Sequence, residues 1–179
     1  MLKLKISTGK FKNTNLCVPT NSEPVKNVVK QSAFSFIGEQ ILNNANILDL
    51  YCGSGQLGFE ALSNNANVVT FVDEDYNSKE CVQKTLIKLN IQNCNFIHKD
   101  ALKVIGESNT KYSLVFADPP YSYKHKHLLK TVHYVLQKNG IFVFFHSSKI
   151  TNEDLAAEEL KLLETRIFGN SAYSVYVLN

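Results

Sequence analysis

Long apolar runs are missing from this sequence: none reaches the roughly 18 residues that a membrane helix needs. Its four cysteines (Cys17, Cys52, Cys81 and Cys94) include no CxxC pair. That spacing argues against a zinc site and against a disulfide framework. The opening stretch MLKLKISTGKFK alternates apolar and polar residues, so no apolar secretion signal is expected and a reducing, cytoplasmic setting is. Arginine is nearly absent, since 18 of the 19 basic residues are lysines and Arg166 alone is not. Such a skew reads as coding bias rather than function. Repeats, low-complexity tracts and linkers are also lacking. What is present, 44% apolar and 20% charged residues over 179 positions, suits one ordinary globular domain with a full core.

The charge is uneven. Residues 1–30 carry six lysines against Glu23 alone, +5, so the remainder holds −2 of the net +3. A basic opening on a near-neutral body suggests contact with phosphates, or else a solvated lysine-rich face. The first 18 residues alternate around Thr8-Gly9 and Lys12-Asn13-Thr14-Asn15, the pattern of a small hairpin.

Pro24 is placed to open a helix to about Leu42, with Val25, Val28, Val29, Ala33, Phe36, Ile37 and Ile41 at helical spacing. Strands then alternate with helices. Strands are expected at 46–51, 67–72, 93–98, 112–117 and 141–146, and helices at 56–64, 77–90, 101–107, 124–137 and near 152–158. A closing hairpin, 161–168 with 172–178, turns at Gly169-Asn170. The pattern predicts an α/β fold: a seven-stranded, mostly parallel sheet with helices on both faces and an antiparallel C-terminal hairpin. Ligands of such sheets bind beyond the carboxyl ends of the strands.

The turns expected there carry the chemistry. After the first strand runs Asp49-Leu50-Tyr51-Cys52-Gly53-Ser54-Gly55-Gln56-Leu57-Gly58. Glycines 53 and 55 let backbone approach a ligand, Gly58 lets the helix pack on its strand, and the helix presents free N–H groups. Asp73, 20 residues after Gly53, is placed to accept from both hydroxyls of a ribose. Asp49 can meet the positive amino group of an amino-acid moiety. Asp100 either accepts from an adenine amine or caps the helix at Ala101. A dinucleotide fits these turns equally well, and the discriminator is Asp118-Pro119-Pro120-Tyr121 after the fourth strand. The Asp118 carboxylate and the Pro119 carbonyl can each accept from an exocyclic NH2. The prolines fix φ and supply no competing donor, and the Tyr121 ring offers a stacking face. Alternatively the prolines merely end a strand. His125, His127 and His133, in the lysine-rich stretch from Lys124 to Lys138, are expected at the surface.

LDLYCGSGQLGFEALS followed by VFADPPY resembles the class I S-adenosylmethionine-dependent methyltransferases. More narrowly it resembles the bacterial 16S rRNA guanine-N2 methyltransferases called RsmD, and ISTGKFKNTNLCVP resembles that family's basic opening hairpin. The resemblance spans nearly the whole chain. It implies a Rossmann-like methyltransferase domain over 23–179 after a basic hairpin extension over 1–22. S-adenosyl-L-methionine is the implied cofactor, on Asp49, Tyr51, Gly53, Ser54, Gly55, Asp73, Asp100 and Asp118. Transfer to a guanine N2 amine of 16S rRNA, free or in a small-subunit assembly particle, falls to Asp118, Pro119, Pro120 and Tyr121. Lys10, Lys12, Lys26, Lys30 and Lys124 are expected on RNA. No metal or membrane is expected, and a monomer is. Where that family has Arg-Pro-Thr before its first helix, this chain has Glu23-Pro24-Val25, in a segment that the resemblance places over the cofactor cleft and in contact with RNA. Other readings stay open: an adenine N6, cytosine N4 or protein glutamine amide as acceptor, a nicotinamide-dependent oxidoreductase, or a non-catalytic RNA-binding protein.

Overall fold

The computed structural model describes residues 4–20, 22–120, 125–151 and 153–179. Strands β1 (Asn46–Leu50), β2 (Val68–Asp73), β3 (Asn95–His98), β4 (Tyr112–Ala117) and β5 (Leu136–Ser147) alternate with helices. These are α2 (Gln56–Ser63), α3 (Tyr76–Lys88), α4 (Ala101–Glu107) and α5 (His125–Thr131). Helix α1 (Asn27–Leu42) precedes them, and β6 (Leu160–Phe168) and β7 (Ser171–Leu178) follow. The sheet runs β3-β2-β1-β4-β5-β7-β6. Its first five strands are parallel, and β7 lies antiparallel to both β5 and β6. The chain winds outward from β1 to β3, then returns to β4 on the other side of β1. The crevice therefore opens at the carboxyl ends of β1 and β4.

Strand residues alternate between two cores because successive side chains leave opposite faces of a strand. Ile47, Val69, Phe71, Leu114, Phe116, Val143 and Phe145 pack with residues of α1, α2 and α3. Leu48, Leu50, Val72, Val115, Phe142 and Phe144 pack with residues of α4 and α5. At Gly58 the spacing between layers leaves no room for a side chain. A Cβ there would lie 2.4 Å from the Phe71 ring and 2.8 Å from Val69. Among the described residues no helix is long and apolar enough to cross a membrane.

The N-terminal arm is joined to this body by charge. Glu60, in the middle of α2, is 2% exposed, and Lys30 of α1 is 1% exposed. Lys30 Nζ donates to Glu60 Oε2 at 2.5 Å. The same carboxylate accepts from the amides of Ser7 and Thr8, at 3.0 and 2.8 Å, and from the Thr8 hydroxyl at 2.8 Å. Lys30, expected on RNA phosphate, is thus an interior residue, because a carboxylate in a wholly buried helix requires a cation beside it.

The arms of the opening segment pair with each other through one antiparallel bridge, Lys5 with Asn15, and through the amides of Ile6, Asn13 and Leu16, which donate to the carbonyls of Thr14, Ile6 and Leu4. Other expectations are corrected. Cys17 and Cys81 form a disulfide that ties the arm to α3, so cysteine spacing alone misjudged a pair 64 positions apart. Helix α1 starts at Asn27 rather than Pro24 and breaks its helical geometry at Gly38 (φ 75°). The helix expected over 124–137 ends as α5 and a 3-10 turn, Val132–Val135, before β5 begins at Leu136. Three extra residues of β5 bulge there, around Asn139 at φ 60°. Near 153–158 no helix forms among the described residues; Thr151 and Asp154 bond each other in a local turn.

Lys30→Met should lower the unfolding free energy by about 3 kcal/mol or more, because Glu60 is left buried with no counter-ion. Urea denaturation measures this, and a loss below about 1 kcal/mol would remove the pair from the core's energetics.

Candidate active site

The crevice holds a cavity of about 490 Å3. Its walls come from β1 and its turn (Asp49, Tyr51, Gly53, Ser54), from the end of β2 (Asp73), from the start of α4 (Asp100) and from the end of β4 (Asp118, Pro119, Pro120). The segment Ser22 to Lys26 covers part of it. The turns expected to converge do so. Tyr121 and Lys124 lie outside the described residues.

Several wall residues are held by local bonding. Asp49 is 1% exposed, and its Oδ2 accepts from the Gly58 amide at 2.9 Å. Its Oδ1 has no hydrogen-bond partner among the described residues. Burial chiefly, and then the charges of Asp118 and Asp73, push its carboxyl well above the ordinary aspartate value. Tyr51 leaves β1 at φ 57°, a left-handed backbone that L side chains rarely adopt and that marks strain at the site. Asp73 accepts from the Gly53 amide at 2.8 Å and the Asp75 amide at 2.9 Å. It therefore fixes the glycine turn as well as facing the cavity. At Gly53 a Cβ would find only Ser22 among the described residues, 3.8 Å away, so the backbone there is open to a ligand.

Gly55 differs from the expectation. It does not line the cavity. A Cβ there would meet the Phe59 and Phe71 rings at 2.8 to 3.0 Å, so Gly55, at φ 72°, packs inward at the head of α2. Asp100 accepts from the Lys103 amide at 3.0 Å, which makes it the cap of α4, and it also faces the cavity. Of the lysines expected on RNA, Lys26 lines the cavity, while Lys10 and Lys12 are exposed on the arm, Lys10 with its ammonium 4.7 Å from the centre of the Phe11 ring.

Asp118 follows β4, with Pro119 buried behind it. Burial first, and then the Glu23 carboxylate, push the Asp118 carboxyl up to about 7. Aspartates 49, 73, 100 and 118 and Glu23 thus share a cavity in which Lys26 is the one lysine or arginine among the described lining residues. The chemistry of that donor set favours a cationic ligand at one end. Pro119 adds a carbonyl acceptor without a competing amide donor of its own.

Two residues, Gln56 and His146, were not found from the sequence, and a third, Glu23, was expected over the cleft but not beside Asp118. Glu23 approaches Asp118, and no local pattern signals that. Gln56 is 4% exposed in the cavity wall, and its Nε2 donates to the Val25 carbonyl at 3.1 Å. His146 closes the far wall, with Nδ1 2.9 Å from the Ser147 carbonyl and Nε2 2.9 Å from Ser174 Oγ. Nδ1 must then carry the proton, and Nε2 accepts from Ser174. Burial chiefly lowers the His146 pKa and keeps the ring neutral. His125 and His133, expected at the surface, are half-buried, and only His127 of the three is exposed. The His125 ring stacks on Phe144.

A family model described as "Conserved hypothetical protein 95" matches residues 4–177. The "Ribosomal RNA small subunit methyltransferase D" of Escherichia coli (strain K12) is 25% identical over 97% of this chain and 89% of its own. The protein of the same name from Buchnera aphidicola subsp. Baizongia pistaciae (strain Bp) is 29% identical over 77% of this chain and 70% of its own. Among solved structures, yhhF from Escherichia coli superposes with a TM-score of 0.89 at 22% identity, over 99% of this chain and 98% of that one. The fold is the Rossmann-like α/β arrangement of class I methyltransferases.

The raised Asp118 carboxyl fixes a pH dependence. The folded chain keeps a proton that the unfolded chain loses, so the cost to stability is absent below the ordinary 3.8 and complete above about 7. Asp118→Asn should therefore stabilise the protein, with a gain in Tm that grows from pH 5 to pH 8. Thermal melts at both pH values check this, and a pH-independent gain would mean the carboxyl is not shifted.

Proposed function

The chain belongs to the Conserved hypothetical protein 95 family, and from that premise we propose that it methylates ribosomal RNA, at a guanine N2 amine of 16S rRNA, with S-adenosylmethionine as methyl donor. One observation carries the reading. Asp118 and Pro119, and Asp49 with its unpartnered Oδ1, line the same cavity. An exocyclic amine at one end and a cationic donor at the other would each complete a group that the protein leaves open. The open backbone at Gly53 and the acid at the end of β2 support an adenosyl moiety between them.

When bound, S-adenosylmethionine supplies an electrophilic methyl carbon on a cationic sulfur. Asp118 and the Pro119 carbonyl accept the two amine hydrogens and turn the nitrogen lone pair toward that carbon. The amine would thereby be held in line with the donor's methyl carbon, with Asp49, Gly53 and Asp73 as the residues that would hold the donor. The surplus proton then leaves from nitrogen toward Asp118 or water. Asp118 in its ionised form stabilises the positive charge that develops on nitrogen. The burial that raises its pKa also strengthens that interaction, because less water screens it. Tyr121 takes the stacking role on the sequence pattern alone. Lys10, Lys12 and Lys26 hold phosphates of the RNA, as does Lys124 by its sequence position. Residues 1–22 act as the RNA-contacting extension and 23–179 as the catalytic domain, working as a cytoplasmic monomer.

Tritiated methyl transfer to small-subunit particles from cells lacking the gene, followed by nucleoside analysis, tests the reading. N2-methylguanosine is the expected product, and label in another nucleoside would reassign the acceptor. Asp118→Ala should lower turnover by roughly 10²-fold or more while cofactor affinity in calorimetry stays nearly constant. Wild-type turnover in that variant would remove Asp118 from the chemistry. Replacing Lys10 and Lys12 together by alanine should weaken RNA binding and reduce the slope of log K against log salt by about 1.5. An unchanged slope would free both lysines from phosphate contact.

A further inference from the structure

Gln56 opens α2 and is buried in the cavity wall, yet only half of its amide is used. Nε2 donates to the Val25 carbonyl, which fixes the orientation of the group. Oε1, turned the other way by that bond, has no hydrogen-bond partner among the described residues. Buried polar atoms are rarely left so, and an orphan in a cavity wall points to a ligand that completes it. Asp49 Oδ1 is in the same condition in the same cavity. The two groups belong to one local unit, because the other oxygen of Asp49 is bonded to Gly58, two residues past Gln56 on the first turn of α2.

Two unpartnered acceptors, one of them a carboxylate, call for a ligand group with several donors and a positive charge. An ammonium has three N–H donors and no acceptor. We propose that Gln56 is a cofactor-binding residue whose Oε1 shares the amino-acid ammonium of the methyl donor with Asp49, while its Nε2 anchors segment 22–26 over the bound ligand. The proposal rests on the reading of this cavity as the S-adenosylmethionine site. One planar amide then serves both tasks. Held from one side by the ligand, it presents its NH2 to Val25 with less freedom. An occupied site thereby steadies the segment that carries Glu23 and Lys26 beside the acceptor end. The donor is thus expected to bind before the RNA.

Calorimetry on the full chain tests this with two probes: S-adenosylhomocysteine and its analogue lacking the amino group. Gln56→Met, of similar length, should bind S-adenosylhomocysteine about tenfold more weakly or worse, and the deaminated analogue within about twofold of wild type. Equal weakening toward both probes would make Gln56 a structural residue of α2, and no weakening toward either would show that Oε1 meets no ligand; each overturns the proposal. Gln56→Glu supplies a second arm that keeps an acceptor and adds charge. It should bind the amine-bearing probe at least as tightly as wild type and gain nothing toward the deaminated one, and parallel changes would count against the assignment. Hydrogen exchange of 22–30 should slow with S-adenosylhomocysteine in wild type and not in Gln56→Met; protection in both would break the link to the segment. Failure of wild type to bind either probe would instead sink the cofactor reading itself, and Gln56 with it.

Discussion

Glu60 is a buried charge on which three parts of the molecule converge. It sits in α2, whose first turn walls the cavity, and it holds Lys30 of α1 together with the amides of Ser7 and Thr8. Moving a carboxylate out of water is costly unless it is paired and fully hydrogen-bonded. Here one ammonium, two amides and a hydroxyl share the task, so removing any one element leaves the charge exposed to an apolar interior. The arm, the first helix and the glycine turn are consequently fixed to one another. Segment 22–26 enters α1 just before Lys30, so the cover of the cavity is referred to the same point.

The cavity follows the opposite logic. Its carboxylates are crowded and short of cations, and the pKa values of Asp49 and Asp118 are raised by burial and by their acidic neighbours. Such a site destabilises the empty protein and gains when positive charge arrives. The interior pair at Lys30 and Glu60 spends hydrogen bonds to keep a charge silent, whereas the cavity leaves acceptors open.

Much of the architecture was legible because two periods are easily separated. NILDLY, NVVTFV and YSLVFA are short and apolar with no helical spacing, and their positions hold to within a residue or two. Asp73 and Asp118 could be placed because each directly follows or ends such a run. Residues that act across the fold were not legible. Lys30 counted as one more basic charge, since a composition has no depth. A signal did exist, because Glu60 lies in QLGFEALS, every residue of which is buried, and an acid there implies a hidden cation. Pro24 suits a helix start, but the residues after it are drawn out along the cavity. Leu136 and Gln137 continue a helical pattern, yet the pairing of Leu136 with Tyr112 wins over local preference. Cys17 and Cys81 carry no spacing signal, because folding alone brings them together.

Gly58 has a bearing on how this protein tolerates change. With the Phe71 ring 2.4 Å from where a methyl group would begin, the height of α2 above the sheet is a dimension written in the absence of one carbon atom. The gap between the end of β1 and the helix start is therefore not free to drift with ordinary core variation. Enlarging position 58 would lift the helix, and shrinking Phe71 would let it sink. Either change would alter the clearance in which a ligand has to fit, so the two positions can vary only in concert.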